Sequence, residues 1–368
     1  MTLLTAERLT QLDMPSYVGQ RSATFRFGLI NVITGRVEAD LTPLRSTVPT
    51  LTHDTTRTIK RQLQGLTLDV ADTARVNVIQ SRVLLYMIIG GREFPLGRYM
   101  FADDVKFVYT NGRITNATLF DEMFMVDQQI ETTYTPPITA LTQGGIPNVP
   151  MNCAKAITDL LIGFDVTTEI EPTPYGTIGS WPAGTTRGQI IEQIALDGDW
   201  FPPWFGNDTK MHFVRAFDPA TAVVTFDLDT GFRVVTNSII ESSDLIVAPN
   251  RFVVISNGAI SEEDTASPLV GTADVPNTAP HSIENRGFVV PSVTERQVNS
   301  QLQVTAIAQN LALRQNVFER TELATVPDPR HDSYDVIRWQ GENWLELTWT
   351  LPLIEGAAMG HVMRKAYS

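Results

Sequence analysis

Apolar and polar residues alternate along several short stretches of this chain, the pattern of strands that bury one face of a sheet and wet the other. Phe25, Phe27 and Leu29 do so, as do Leu66, Leu68 and Val70, and near the C-terminus Leu345, Leu347, Trp349 and Leu351. Val83 to Ile89 is apolar without alternation, which predicts a strand covered on both faces. Asn111-Gly112 separates two strand-like runs, Lys106 to Tyr109 and Arg113 to Phe120. Both residues of such a pair tolerate positive φ, so a tight hairpin is predicted there. Further strands are expected at Met211 to Ala216, Asn250 to Ile255, Thr321 to Val326, Tyr334 to Trp339 and Trp344 to Leu351, with Gly35 and Gly341 at turns.

Helical spacing is confined to a few segments. Ala154, Ile157, Thr158 and Leu161 fall on one face between Pro150 and Gly163, and Ile190, Ile191, Ile194 and Ala195 do so between Thr186 and Gly198. Thr186 with Gln189 fits a capping box, which gives the second helix a start signal. Val304, Ile307, Ala308 and Leu311 mark a third helix over about 298–317, and residues 1–17 read as a short amphipathic helix. The stretch from Thr132 to Pro150 carries Pro136, Pro137, Gly144, Gly145, Pro147 and Pro150, which prevent regular structure. Residues 256–285 read as a long polar loop. The expected division is therefore a strand-rich domain at 1–135, a mixed α/β domain at 136–235 and a strand-rich domain with one helix at 236–368.

Length agrees with more than one core, since 368 residues exceed what one ordinary domain holds. At 43% hydrophobic and 19% charged residues the composition is that of a soluble protein. No window approaches the roughly 18 apolar residues of a membrane span, and no membrane insertion is expected. The start of the chain lacks the pattern of a secretory signal. A single cysteine, Cys153, precludes an intrachain disulfide. The net charge of −13 is unevenly placed. Residues 45–113 hold ten Lys/Arg against six Asp/Glu, whereas residues 114–300 hold eight against twenty-three. An acidic chain disfavours tight nucleic-acid binding, which needs concentrated positive charge. The segregation suits head-to-tail assembly, with Lys60, Arg61, Arg75, Arg82 and Arg92 as candidate contacts between subunits or rings.

The segment Thr58 to Phe101, with its basic strand and the Gly91-Arg92-Glu93-Phe94-Pro95-Leu96-Gly97-Arg98-Tyr99 turn and strand, resembles the first barrel of phage tail-tip (baseplate) hub proteins of siphovirus type. The helix ending at Gly198 followed by Asp199 to Phe205 is similar to the middle of such a hub. The later order of Asn250-Arg251 strand, loop, helix, Pro327-Asp328-Pro329 and final strands ending in Leu351-Pro352-Leu353 is similar to its second barrel. The resemblance implies a mainly β protein with two tail-tube-like β-barrels flanking a smaller mixed domain. It implies a homotrimeric ring at the distal end of a virion tail, assembled in the host cytoplasm. Duplicated barrels would let a threefold ring continue a sixfold tube. The implied partners are the distal tail protein ring, the tape-measure protein and other tail-tip or receptor-binding proteins, with DNA only in passage. Because the sequence stops soon after its last expected strand, an appended lysozyme, peptidase or receptor-binding module would come from another chain.

Catalytic signatures are sparse. The five histidines, at 53, 212, 281, 331 and 361, include no pair at ligand spacing, and neither metal nor cofactor is expected. Asp229-Thr230-Gly231 matches the turn of aspartic proteases, but those need two such carboxylates and the motif occurs once. Asp227 and Asp229 begin a calcium-like Asp-x-Asp without a closing ligand. Glu262, Glu263 and Asp264 lie in the polar loop and read as a solvated charge run. Trp181, Trp200 and Trp204, with Phe201 and Phe205, are candidate aromatic anchors, and they are also the group that could stack on a sugar. A structural role without catalytic residues is the expectation. The competing readings are a tail-associated cell-wall hydrolase and a carbohydrate-binding tail-tip module.

Overall fold

The computed structural model describes residues 23–102, 106–108, 112–137, 150–230, 234–241, 248–256, 268–314 and 319–367. The chain is mainly β, and its dominant feature is a 13-stranded sheet. From one edge the strands run Arg36–Leu41, Thr24–Asn31, Ser81–Ile89, Arg92–Phe101, Ala117–Phe120, Arg61–Leu66 and Thr50–Asp54, then Glu342–Pro352, Met359–Lys365, Glu319–Thr325 and Val234–Glu241. Val336–Trp339 also pairs with Glu342–Pro352, and Phe226–Asp227 pairs with it in turn. Early and late segments therefore share one sheet, joined where Asp54 to Thr50 run antiparallel to Thr348 to Pro352. The path leaves two open edges, and the described residues contain no closed barrel.

The alternations foreseen from sequence are what bury this sheet. Phe27, Leu29, Leu51, Leu63, Leu85, Leu119, Trp349 and Leu351 pack into one cluster that draws on both halves of the chain. Ser81–Ile89 departs from the expected two-sided burial. Val83, Leu85, Met87 and Ile89 are inside, but Leu84, Tyr86 and Ile88 are half-buried, with the Arg26 guanidinium 4.3 Å above the Tyr86 ring. Leu66 and Leu68 are buried, but the strand stops at Leu66. Asp69 caps a helical turn, Val70–Thr73, by accepting from the Asp72 amide, and this turns Val70 outward. The strands Lys106–Val108 and Arg113–Thr115 pair as the expected hairpin arms, while residues 109–111 lie outside the described part. The run beyond them breaks at Asn116, whose φ is 53°, so that Ala117–Phe120 joins the large sheet instead.

The middle of the chain carries both helices and strands. Asn152 caps the helix Cys153–Leu160, and Thr186 and Gln189 form the reciprocal capping box of the helix Arg187–Asp197. The apolar faces of both helices pack with Trp200 and with Met211 and Phe213 of a small three-stranded sheet. Further on, Arg251–Ser256 is central in a second three-stranded sheet, between Leu269–Asp274 and Pro291–Glu295. Residues 256–285 are thus not all loop: they contain a strand and the start of the short helix Ile283–Arg286. Residues 257–267 lie outside the described part, as does the expected N-terminal helix. No described helix is long and apolar enough to cross a membrane.

The helix Gln301–Arg314 covers that second sheet, and its backbone lies directly on Leu269–Asp274. A Cβ at Gly271 would fall 2.3 Å from the Val304 carbonyl oxygen. Backbone, unlike a flexible side-chain tip, cannot yield cheaply. Gly271→Ala is expected to lower the unfolding free energy by about 1–3 kcal/mol through overpacking. Urea denaturation at fixed pH measures this, and an unchanged midpoint would contradict the close approach.

Candidate functional site

The most concentrated chemistry in the chain lies beneath the junction of the large sheet, around the loop 326–335. Arg61 opens the strand Arg61–Leu66, yet its side chain is 1% exposed. Its guanidinium donates to Asp332 Oδ1 at 2.5 Å, to Asn207 Oδ1 at 2.6 Å and to the Leu96 carbonyl at 3.2 Å. It also lies 5.5 Å from the Trp349 ring centroid. Asn207 uses its amide group to donate to the Pro329 and His331 carbonyls. The Arg61 backbone amide donates to Asp121 Oδ2. One side chain thus ties together an early strand, a turn of the middle region and the late loop. Burial would lower the Arg61 pKa, but Asp332, Tyr99 and Asp121 raise it above the ordinary value, and the guanidinium stays charged. Burial lifts Asp121 to about 6, against the backbone amides of Arg61 and Met123 that favour its ionised form.

Directly behind this pair, Glu346 projects from Glu342–Pro352 between two imidazoles. His331 Nδ1 is 2.9 Å from Glu346 Oε2, and His361 Nδ1, from Met359–Lys365, is 2.5 Å from Oε1. The two rings are 4.7 Å apart, and Phe226 stacks on His331 at 3.9 Å. All three polar residues are buried. Burial alone would raise the Glu346 pKa, but the two histidines outweigh it and hold the carboxyl down to about 2. Beside them, His53 Nε2 meets Ser333 Oγ at 2.7 Å and the ring stacks on Trp349 at 5.3 Å, while its Nδ1 has no hydrogen-bond partner among the described residues. Burial, aided by Arg61, pushes the His53 pKa down to about 3. A large substrate has no access to a group so thoroughly enclosed. What the arrangement offers is internal binding of charge.

The basic residues singled out from sequence divide sharply. Lys60 is buried and donates to the Thr55 and Arg57 carbonyls, with its pKa lowered by burial to about 8. Arg61 is enclosed as described, and Arg82 is buried and donates to the Ile79 and Ser81 carbonyls. An outward role for Lys60, Arg61 and Arg82 is therefore corrected: all three are buried, and backbone carbonyls or the Asp332 carboxylate inside the subunit take up their donors. Arg75 and Arg92 remain exposed. The aromatic anchors serve internal cores. Trp181 donates to Gln193 and stacks on Tyr134, Trp200 donates to the Glu171 carbonyl, and Trp204 packs against His212 and Tyr334. None presents an open ring face for a sugar, since all three are at most 6% exposed. Asp229 is structural: its carboxylate accepts from the Gln340 and Gly341 amides and so braces the two-residue turn between Val336–Trp339 and Glu342–Pro352. Glu262, Glu263 and Asp264 lie outside the described residues.

The solved structures of three phage-related proteins share this architecture. The prophage MuSo2 43 kDa tail protein from Shewanella oneidensis matches with a TM-score of 0.54 at 11% identity, over 93% of this chain and 98% of that one. The fold is that of phage tail proteins. A tail protein from Neisseria meningitidis MC58 matches with a TM-score of 0.54 at 12% identity, over 93% of this chain and 96% of its own. Prophage tail protein gp18 from Listeria monocytogenes matches with a TM-score of 0.50 at 8% identity, over 92% and 94%. No protein-family model and no curated protein matches the sequence.

The histidine–glutamate group escaped the sequence reading because its members are fifteen residues apart at each step, on a loop and two strands. Its one local sign is the density of charge in Asp328 to Asp335 between strands. Two outcomes test the site. Arg61→Met leaves the buried Asp332 carboxylate without its cation and is expected to cost about 3–5 kcal/mol. The double variant Arg61→Met with Asp332→Leu should lose less than the two single losses added together, as read from urea midpoints. For His53, the folded pKa of about 3 lies below the ordinary 6.5. The unfolded chain then binds more protons between those values, and this contribution to stability is lost as pH falls through that window. Unfolding free energy should drop from pH 7 toward pH 4, with a shallower slope in His53→Gln; equal slopes would refute the assignment.

Proposed function

We propose that this chain is a structural hub of a phage tail tip, a homotrimeric ring that caps the distal tail tube, organises tip assembly and gates DNA ejection. The observation that carries the reading is the fold shared with the Shewanella tail protein over 93% of one chain and 98% of the other. On this reading, residues 1–135 and 236–368 are tube-like halves around the mixed region 136–235. The two open edges of the large sheet support the ring. Among the described residues, Arg36–Leu41 and Val234–Glu241 each leave one side unpaired. Unpaired edges invite strands from other chains unless they are guarded. Val37, on the first of these edges, is 49% exposed, and Ile33 in the turn before it is 72% exposed. Neighbouring copies would supply the missing strands and complete the barrels.

The role is mechanical and electrostatic, without a catalytic residue. Arg75 and Arg92 are the remaining candidates for attraction between copies or rings, and the acidic balance of residues 114–300 suits a passage that does not retain phosphates. The distal tail protein ring and the tape-measure protein are the proposed axial neighbours, with other tail-tip or receptor-binding proteins beyond, in a virion of siphovirus type.

Sedimentation of the full chain, followed by electron microscopy of tails, tests this. Association should bury well over ~1,000 Å² between copies. Val37→Lys and Ile33→Lys should shift the distribution toward monomer while the thermal unfolding of the subunit stays unchanged, because both side chains already face solvent. A wild-type chain that remains monomeric in solution and in tails would refute the ring.

A further inference from the structure

Two imidazoles converge on one buried carboxylate in the subunit interior. His331 Nδ1 faces Glu346 Oε2 at 2.9 Å and His361 Nδ1 faces Oε1 at 2.5 Å. The far nitrogen of His361, Nε2, is held 2.7 Å from Thr325 Oγ1. Three side chains of metal-ligating type from a loop and two strands therefore point at one another.

We propose that His331, Glu346 and His361 form a structural binding site for a divalent transition-metal ion, with zinc the best match to the donors. The three ligand atoms lie within 4.8 Å of one another and come from three separate segments. Two imidazole nitrogens with a carboxylate oxygen is a donor set that suits zinc. The Thr325 contact is the outer-shell partner that a metal-bound histidine characteristically has, fixing tautomer and ring orientation. Asp335 Oδ2, 3.8 Å from His331 Nδ1 and held by the Asp332 amide, is placed to contribute further negative charge. Arg330 does not neutralise the group, because its guanidinium is paired with Asp328. The second cluster of metal-ligating types, Glu169, Asp208 and His212, differs on this point. There the Lys210 ammonium already sits 3.5 Å from both carboxylates and supplies the positive charge.

A bound ion would pin the loop 326–335 to two strands of the large sheet, next to the Arg61–Asp332 pair. This inference concerns the subunit interior and does not depend on the ring. The full chain, stripped with a chelator and titrated with Zn²⁺, should bind one equivalent and melt at a higher temperature. His361→Gln and Glu346→Gln should abolish that equivalent, whereas His212→Gln should keep it. Saturable binding that is absent in the wild type, or undiminished in folded His361→Gln, would overturn the proposal. Should the core variants fail to fold, X-ray absorption of the zinc-loaded wild type decides. Two imidazoles around the ion support this site, and one or none overturns it.

Discussion

A single buried guanidinium organises the way the parts of this chain meet. Arg61 reaches Asp332, Asn207 and the Leu96 carbonyl from a position in the middle of the large sheet. The Coulombic attraction in a poorly polarisable interior is large, but so is the cost of removing both charges from water, and the net benefit of such a pair is small. Its effect is on alternatives. Any arrangement that slides the late loop away from the early strand strands a charge in the interior, at a cost far above that of a displaced methyl group. Apolar contacts in the surrounding cluster supply most of the cohesion, and Arg61 selects which cohesive arrangement is allowed.

That selectivity matters because the sheet is continuous. Thr50–Asp54 lies against Glu342–Pro352, almost the whole chain length away. Side chains repeat every second residue along a strand, so a one-residue slip would turn the buried row toward water, but a two-residue slip would keep apolar residues facing inward. Trp349, Leu351 and the leucines of the early strands could tolerate such a slip in part. Arg61, His53 and Glu346 could not, since their partners Asp332, Ser333, His331 and His361 are fixed one by one.

The sequence was legible where one physical requirement acted alone. Alternation revealed the strands around Phe27 and Leu351, and the Thr186–Gln189 box placed a helix start to the residue. It was illegible where two requirements competed. Met359–Lys365 passed unnoticed because His361 occupies an inward position between Met359 and Met363, breaking the apolar row. Glu346 stood at the wet position of an alternating strand, and it is buried because the loop 326–335 covers the face that would otherwise meet solvent. Leu269–Asp274 carries little apolar signal, since its central residue is the glycine on which a helix backbone rests. Lys60 and Arg61 were misplaced for the same reason in reverse: charge was taken as exposure, whereas here the partners that make burial tolerable lie up to 271 residues distant.

The low identity to the tail proteins, 11–12% for the two best-matching described above, follows from the same division of labour. A core filled by dispersion and hydrophobic burial accepts many sequences of similar volume and pattern, so the sheet can persist while its residues change. Polar interior groups are less interchangeable, because replacing one member leaves the others unsatisfied. A group such as His331, Glu346 and His361 must therefore change together or remain. The shared fold consequently says little about this interior chemistry, which has to be read from the side chains of this chain.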